Sequence, residues 1–189
     1  MPETAPLAPA PRRVLDAASQ LFYEQGITAV GVDLIAERSR VTKRTLYNRF
    51  GSKDQLVVAY LSERDERWRA HVADAVAAAA TPADAVVAPF IALRAWMRDN
   101  PRGCAFINAL AELPDADHPA HRLSIAQKEW LLQRFRDLAA AASCAEPLAL
   151  ARRLLLLHEG ALATAPLQLG LVEDASALAS TLVESSLRR

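Results

Sequence analysis

Arg38, Arg40, Lys43, Arg44, Arg49 and Lys53 place six cationic side chains in one short stretch, with no Asp or Glu among them. The whole chain is balanced, with 22 basic and 22 acidic residues over 189 positions. A local basic patch on a neutral protein is the electrostatic footprint of a small module that reads nucleic acid. A basic cluster alone would also fit a solvated helix face, so the residues between the charges must decide. Thr42 sits where an N-cap hydroxyl and the free N–H groups of a helix start would face a phosphate. Lys43, Arg44 and Thr45 follow in the first turn, where a recognition helix presents side chains to base edges. An arginine such as Arg44 can pair bidentately with guanine O6 and N7. Tyr47 and Asn48, one turn on, can reach the phosphate backbone and set the register, and Lys53 can add a phosphate contact.

Other chemistries find less support. Cys104 and Cys144 are far apart and fit no metal or redox spacing, so they read as reduced thiols. His118 and His121 flank a proline-marked helix start without a carboxylate at ligand spacing, and no metal or other cofactor is expected. No triad or phosphate loop is apparent, so an enzyme using Cys104 or His158 is a remote alternative. The remaining alternative is a helical interaction module whose basic face binds an acidic partner.

The elements that must position the basic cluster are helical. Val14, Ala18, Leu21 and Phe22 recur at one helical face, from about Arg12 to a stop at Gly26. A second helix over residues 31–38 buries Val32, Ile35 and Ala36. After the turn Ser39-Arg40-Val41, a third runs over residues 42–48, and Val41, Leu46 and Phe50 are expected to be buried. Three short helices with a basic third one describe a helix-turn-helix. Ser52 followed by Gln55 fits a capping box and opens a long fourth helix reaching about Ala80. Thr81-Pro82-Ala83-Asp84 opens a fifth, with a kink expected at Pro89. Helices over residues 104–113, from Pro119, from Pro147 to a stop at Pro166, and over residues 173–187 complete an all-α chain of about nine helices. The expected division is a flexible proline-rich arm over residues 1–11, a DNA-binding domain over 12–55, and a larger helical bundle domain over 56–189.

The residues also carry a resemblance. Val14-Leu-Asp-Ala-Ala-Ser-Gln-Leu-Phe-Tyr-Glu-Gln-Gly26 resembles the first helix of the tetracycline-repressor (TetR/AcrR) family. Ile35-Ala36-Glu37, Val41-Thr-Lys-Arg-Thr-Leu-Tyr-Asn-Arg-Phe50 and Ser52-Lys53 are similar to that family's helix-turn-helix. Arg40 stands where the family often has glycine, Arg44 where it often has a small residue, and Val30-Gly31 where helix two commonly begins with Thr or Ser. The resemblance implies an N-terminal DNA-binding domain and a C-terminal domain that dimerises and binds an effector. The expectation is therefore a ligand-released homodimeric repressor on a palindromic double-stranded operator, with a TetR-like activator or a ligand-independent regulator as alternatives.

For the effector, Trp96, Phe106, Asn108, Trp130, Phe135 and His158 are large or polar groups on otherwise Ala/Leu-rich helices, and each could equally fill the core. For the dimer, Leu154-Leu155-Leu156-Leu157 is apolar all round, and Ala175, Leu178, Ala179, Leu182, Val183 and Ser186 form a stripe. A bundle formed with a second copy would use Leu155, Leu162, Leu178 and Leu182. No apolar run is long enough to span a membrane, since residues 154–172 are interrupted by His158, Glu159 and Pro166. The start Met1-Pro-Glu-Thr-Ala-Pro lacks the pattern of a secretion signal, and a cytoplasmic chain is expected.

Overall fold

The structure, a computed structural model, describes residues 9–187. Helix α1 spans Pro9–Gln25 and turns Val14, Ala18, Leu21 and Phe22 inward, the face that the spacing predicts. It begins at Pro9, three residues before the expected start at Arg12. Pro9 and Pro11 lie in its first turn, where the missing N–H would have had no intrahelical partner. The rest of the expected arm, residues 1–8, lies outside the described residues.

Helices α2 (Val32–Ser39) and α3 (Lys43–Phe50) pack on α1 and on each other. Ile35 and Leu46 are fully buried and carry that packing, while Val32, Val41 and Phe50 are only half-buried. Helix α4 spans Lys53–Ala77, and the Ser52 hydroxyl accepts the Gln55 N–H at 3.1 Å at its start. The Thr81 hydroxyl does the same for Asp84 at the head of α5, Pro82–Asp99, also at 3.1 Å. Helix α5 runs through the buried Pro89 without interruption.

Helix α6 (Ala105–Glu112), α7 (Pro119–Ala141), α8 (Pro147–Thr164) and α9 (Leu171–Ser186) follow, with one 3₁₀ turn over Ala165–Leu167. Among the described residues there is no strand, only an isolated bridge between Cys144 and Leu187.

The chain forms two compact units. Of the described residues, the first holds 9–64 and 105–124, so α6 and the start of α7 share a unit with the basic cluster. The second holds 65–104 and 125–187. In it α9 packs on α5 and α8. Its core is aromatic as well as aliphatic, with Phe90, Phe135, Leu93, Leu131, Leu150 and Leu154 fully buried.

Candidate nucleic-acid interface

The turn between α2 and α3 is built on Arg40, which adopts φ 55° and ψ 44°, a left-handed conformation that glycine takes more easily. The Arg40 N–H donates to the Glu37 carbonyl and the Val41 N–H to the Ala36 carbonyl, both at 3.1 Å. These two bonds close α2 as a Schellman motif and satisfy carbonyls the helix end would otherwise leave open. The buried Ser39 hydroxyl donates to the Ile35 carbonyl at 2.6 Å, which tightens the same end.

Thr42 is the N-cap of α3, with extended backbone and a side-chain oxygen that accepts the Thr45 N–H at 3.2 Å. From that start α3 divides cleanly. Leu46 is fully buried against the other two helices, whereas Thr42, Lys43, Arg44, Tyr47 and Asn48 are exposed. Positions 43, 44, 47 and 48 recur at helical spacing, so their side chains share one face. Tyr47 is 43% exposed, a large aromatic held out in solvent. Thr45 and Lys53 are half-buried at the margin of this face. The arrangement offers hydroxyl, guanidinium, phenol, amide and ammonium donors along one convex helix. Such a set can pair with base edges and phosphate oxygens.

Two contacts around this face are not legible in the local pattern. The Lys43 ammonium forms an ion pair with Asp33, one helix back, so it is not a free cation as the charge cluster suggests. The loop after α1 is held by Glu112 of α6. The Thr28 N–H donates to its Oε2 at 2.9 Å, and the Thr28 hydroxyl donates to its carbonyl at 3.3 Å. Gly26 makes this contact possible, because at φ 95° a Cβ would stand 2.9 Å from the Glu112 carboxylate. Asp33 and Glu112 lie outside the basic cluster, and only folding reveals the 84 residues of separation that the Thr28 contact spans.

The six residues proposed for an effector separate. Phe106 and Asn108 lie in the first unit, where Phe106 is buried. Trp130 is half-buried in the second, with the Arg69 guanidinium 4.6 Å from its ring centre. Trp96, Phe135 and His158 do come together, in an aromatic interior completed by Trp68 and Phe90. The His158 ring centre lies 5.6 Å from those of Trp68 and Phe90 and 6.2 Å from that of Phe135, and Trp68 meets Trp96 edge-on at 5.6 Å.

Burial pushes the His158 imidazole below its ordinary pKa, against the opposing hydrogen bond that it donates to Glu159, so it is neutral there. Its Nδ1 faces Glu159 at 3.2 Å, and Lys128 pairs with the same carboxylate at 2.7 Å. Burial drives Glu159 upward, but the His158 hydrogen bond and the Lys128 charge outweigh it and keep the carboxylate ionised. The other His158 nitrogen, Nε2, is buried with no hydrogen-bond partner, as are Gln127 Oε1 and Asp65 Oδ1 in the same unit. Trp68 and Phe90 were missed by sequence reading, since nothing local distinguishes a packed aromatic from one facing a buried imidazole.

His118 and His121 are tied to backbone. The His118 Nδ1 accepts the Ala120 N–H at 3.1 Å, and the His121 ring donates to the Leu113 carbonyl. Among the described residues no group of His, Cys, Asp and Glu is arranged to hold a metal ion.

On the helices expected to dimerise, Leu162 is turned into its own core at 8% exposure, Leu155 and Leu182 are half-buried, and Leu178 is 50% exposed. Leu162, expected at the contact with a second copy, is therefore already covered within its own chain. The residue that stands out is Leu156, 75% exposed, whose position among four successive leucines hid its direction. The α9 stripe also divides, with Ala175, Ala179 and Val183 inward and Leu178 outward.

Residues 14–60 match the family model described as bacterial regulatory proteins, tetR family. A TetR-family transcriptional regulator from Streptomyces coelicolor, SCO4454, superimposes with a TM-score of 0.85 at 36% identity, covering 95% of each chain. A putative TetR regulator from Streptomyces avermitilis gives a TM-score of 0.79 at 30% identity, covering 95% of this chain and 98% of that one. Among curated relatives, the uncharacterised HTH-type regulator Rv1255c of Mycobacterium tuberculosis is 29% identical over 89 residues, 47% of this chain and 44% of that protein. The HTH-type regulator LmrA of Bacillus subtilis is 35% identical over 77 residues, 40% and 41% of the two chains. The matched stretch thus spans less than half the length of either curated relative. The near full-length likeness to the S. coelicolor regulator, joined to the helix-turn-helix match, places this chain in the TetR family of bacterial transcriptional regulators.

Proposed function

We propose that this chain is a cytoplasmic, homodimeric repressor that binds a palindromic double-stranded operator and leaves it when a small-molecule effector binds. Residues 12–55 read the DNA, and residues 56–189 hold the effector and the dimer contact. The observation that carries this reading is the α3 face, where Thr42, Lys43, Arg44, Tyr47 and Asn48 are exposed over a buried Leu46 anchor. Base readout falls to Arg44, backbone contacts to Thr42, Thr45, Tyr47, Asn48 and Lys53, and Lys43 exchanges Asp33 for a phosphate on binding.

Two half-sites need two copies. The support for the second copy is the apolar surface left open on α8 and α9, where Leu156 and Leu178 are exposed and Leu155 and Leu182 half-buried. For the effector, the support is the unpartnered His158 Nε2 among Trp68, Phe90, Trp96 and Phe135. A ligand that hydrogen-bonds this nitrogen in one conformer shifts the population toward it. The change passes along α4, a single helix from Lys53 to Ala77.

Selection of duplexes from a random pool tests the reading directly. A recovered site with twofold symmetry, whose binding is lost in an R44A/Y47A variant of unchanged circular dichroism, is the expected result. Failure to enrich any duplex, or equal binding by that variant, refutes it. Log affinity should fall steeply with log salt, because phosphate contacts release counterions. An effector that binds yet leaves operator affinity unchanged at fixed salt refutes the release step.

A further inference from the structure

The second unit carries a solvent-open cleft of about 560 Å³, bordered by the end of α5, the segment after it, and the connection from α8 to α9. None of the residues considered above for an effector lines it. Arg94 and Arg98, one turn apart on α5, and Arg102 just beyond supply three guanidinium groups, and Glu173 is the one carboxylate among its lining residues. Arg94 and Arg98 are exposed, and among the described residues neither has an ion-pair partner.

The same cleft has apolar walls, including Met97, Pro166, Leu169 and Leu171. Leu169 is 64% exposed and Leu171 37%, so this apolar surface is left open to solvent beside the cations. Arginines kept only for solubility need no concavity. Apolar walls alone would not call for three arginines. Guanidinium groups match phosphate and carboxylate oxygens in a planar, bidentate way, and the cleft volume falls in the range that takes one small organic molecule.

We propose that this cleft is a binding site for an amphiphilic organic anion, a phosphate- or carboxylate-headed molecule with a short apolar tail. The head lies against Arg94, Arg98 and Arg102, and the tail lies along Met97, Leu169 and Leu171. The site is separate from the aromatic interior around His158, so its fate does not depend on the effector reading. Glu173 opposes the anion and sets a limit on affinity.

Isothermal titration calorimetry of the full chain at low salt, with decyl phosphate below its micelle concentration, tests the proposal. The expected result is one saturable site per chain. Binding should weaken at least tenfold in R94Q/R98Q and strengthen in E173Q. Inorganic phosphate at millimolar concentration should compete, and decyl maltoside, with the same tail and a neutral head, should not bind comparably. Absence of saturation up to millimolar ligand overturns the proposal, as does equal binding of decyl phosphate and decyl maltoside. Unchanged binding by R94Q/R98Q has the same consequence. If the arginine changes alter the oligomeric state in light scattering but leave decyl phosphate binding untouched, the cleft is a contact between copies and the proposal fails. Sedimentation of the protein with phosphatidic acid vesicles, without binding of free decyl phosphate, would assign the arginines to a lipid surface and overturn it equally.

Discussion

Arg40→Gly is expected to stabilise the DNA-reading unit, although it removes a charged side chain from it. At φ 55° and ψ 44° Arg40 holds a conformation in which its Cβ crowds the following carbonyl. That costs about 1–2 kcal/mol for a residue other than glycine. Glycine escapes the clash but gives back about 0.4–1 kcal/mol, because its unfolded chain has more freedom to lose. The net gain is about 1 kcal/mol, or roughly fivefold in the opening equilibrium. Arg40 is exposed, so little packing is lost. The control is Arg40→Ala, which removes the same charge and keeps the Cβ.

Guanidinium denaturation followed by circular dichroism gives the global effect. Exchange of the Arg40 and Val41 amides, both bonded at 3.1 Å across the end of α2, gives the local one. Glycine should slow that exchange and raise the midpoint relative to alanine, while the two variants should show the same salt dependence of DNA binding. Equal stability for the glycine and alanine variants would refute the argument, because the two differ at this position only in the Cβ.

Thr42→Ala removes the cap that holds the Thr45 N–H and should cost about 1 kcal/mol of stability, read from the denaturation midpoint. Arg44→Ala should lose about 1–3 kcal/mol on the preferred duplex and relax its sequence preference at one position per half-site. Lys53→Ala should weaken all duplexes alike and lower the salt slope by about one, and the reverse pattern would exchange their roles. For His158, burial holds the folded pKa below the unfolded value of about 6.5, so the unfolded chain binds more protons between the two. Its contribution is fully present above pH 6.5 and is lost as pH falls toward the folded value. Denaturation midpoints measured from pH 8 to 5 should therefore decline, and His158→Gln should flatten that decline. On the proposed dimer, Leu156→Lys should give monomer in light scattering with the helical content unchanged, and a dimer that persists would refute the α8–α9 contact.

Much of this protein was decided along the chain. The proline, glycine and hydroxyl caps at Gly26, Thr42, Ser52 and Thr81 act on neighbouring backbone groups, so the helices they bound are legible to within a few residues. The outward face of α3 is equally local, since Leu46 turned inward leaves positions 44, 47 and 48 on the far side of the helix, with Lys43 exposed in the first turn. What the fold alone decided are relations between distant residues or between identical ones. Leu156 and Leu162 are the same residue type on the same helix, and only the packing of α8 puts one in solvent and the other in the core. Asp33 takes hold of Lys43, Glu112 reaches Thr28, and Trp68 and Phe90 enclose His158, through contacts that no spacing along the chain encodes. Caps and helix faces follow from interactions within a turn or two of backbone. Pockets, ion pairs and interfaces depend on which surfaces burial brings together, and that is settled only when the whole core closes.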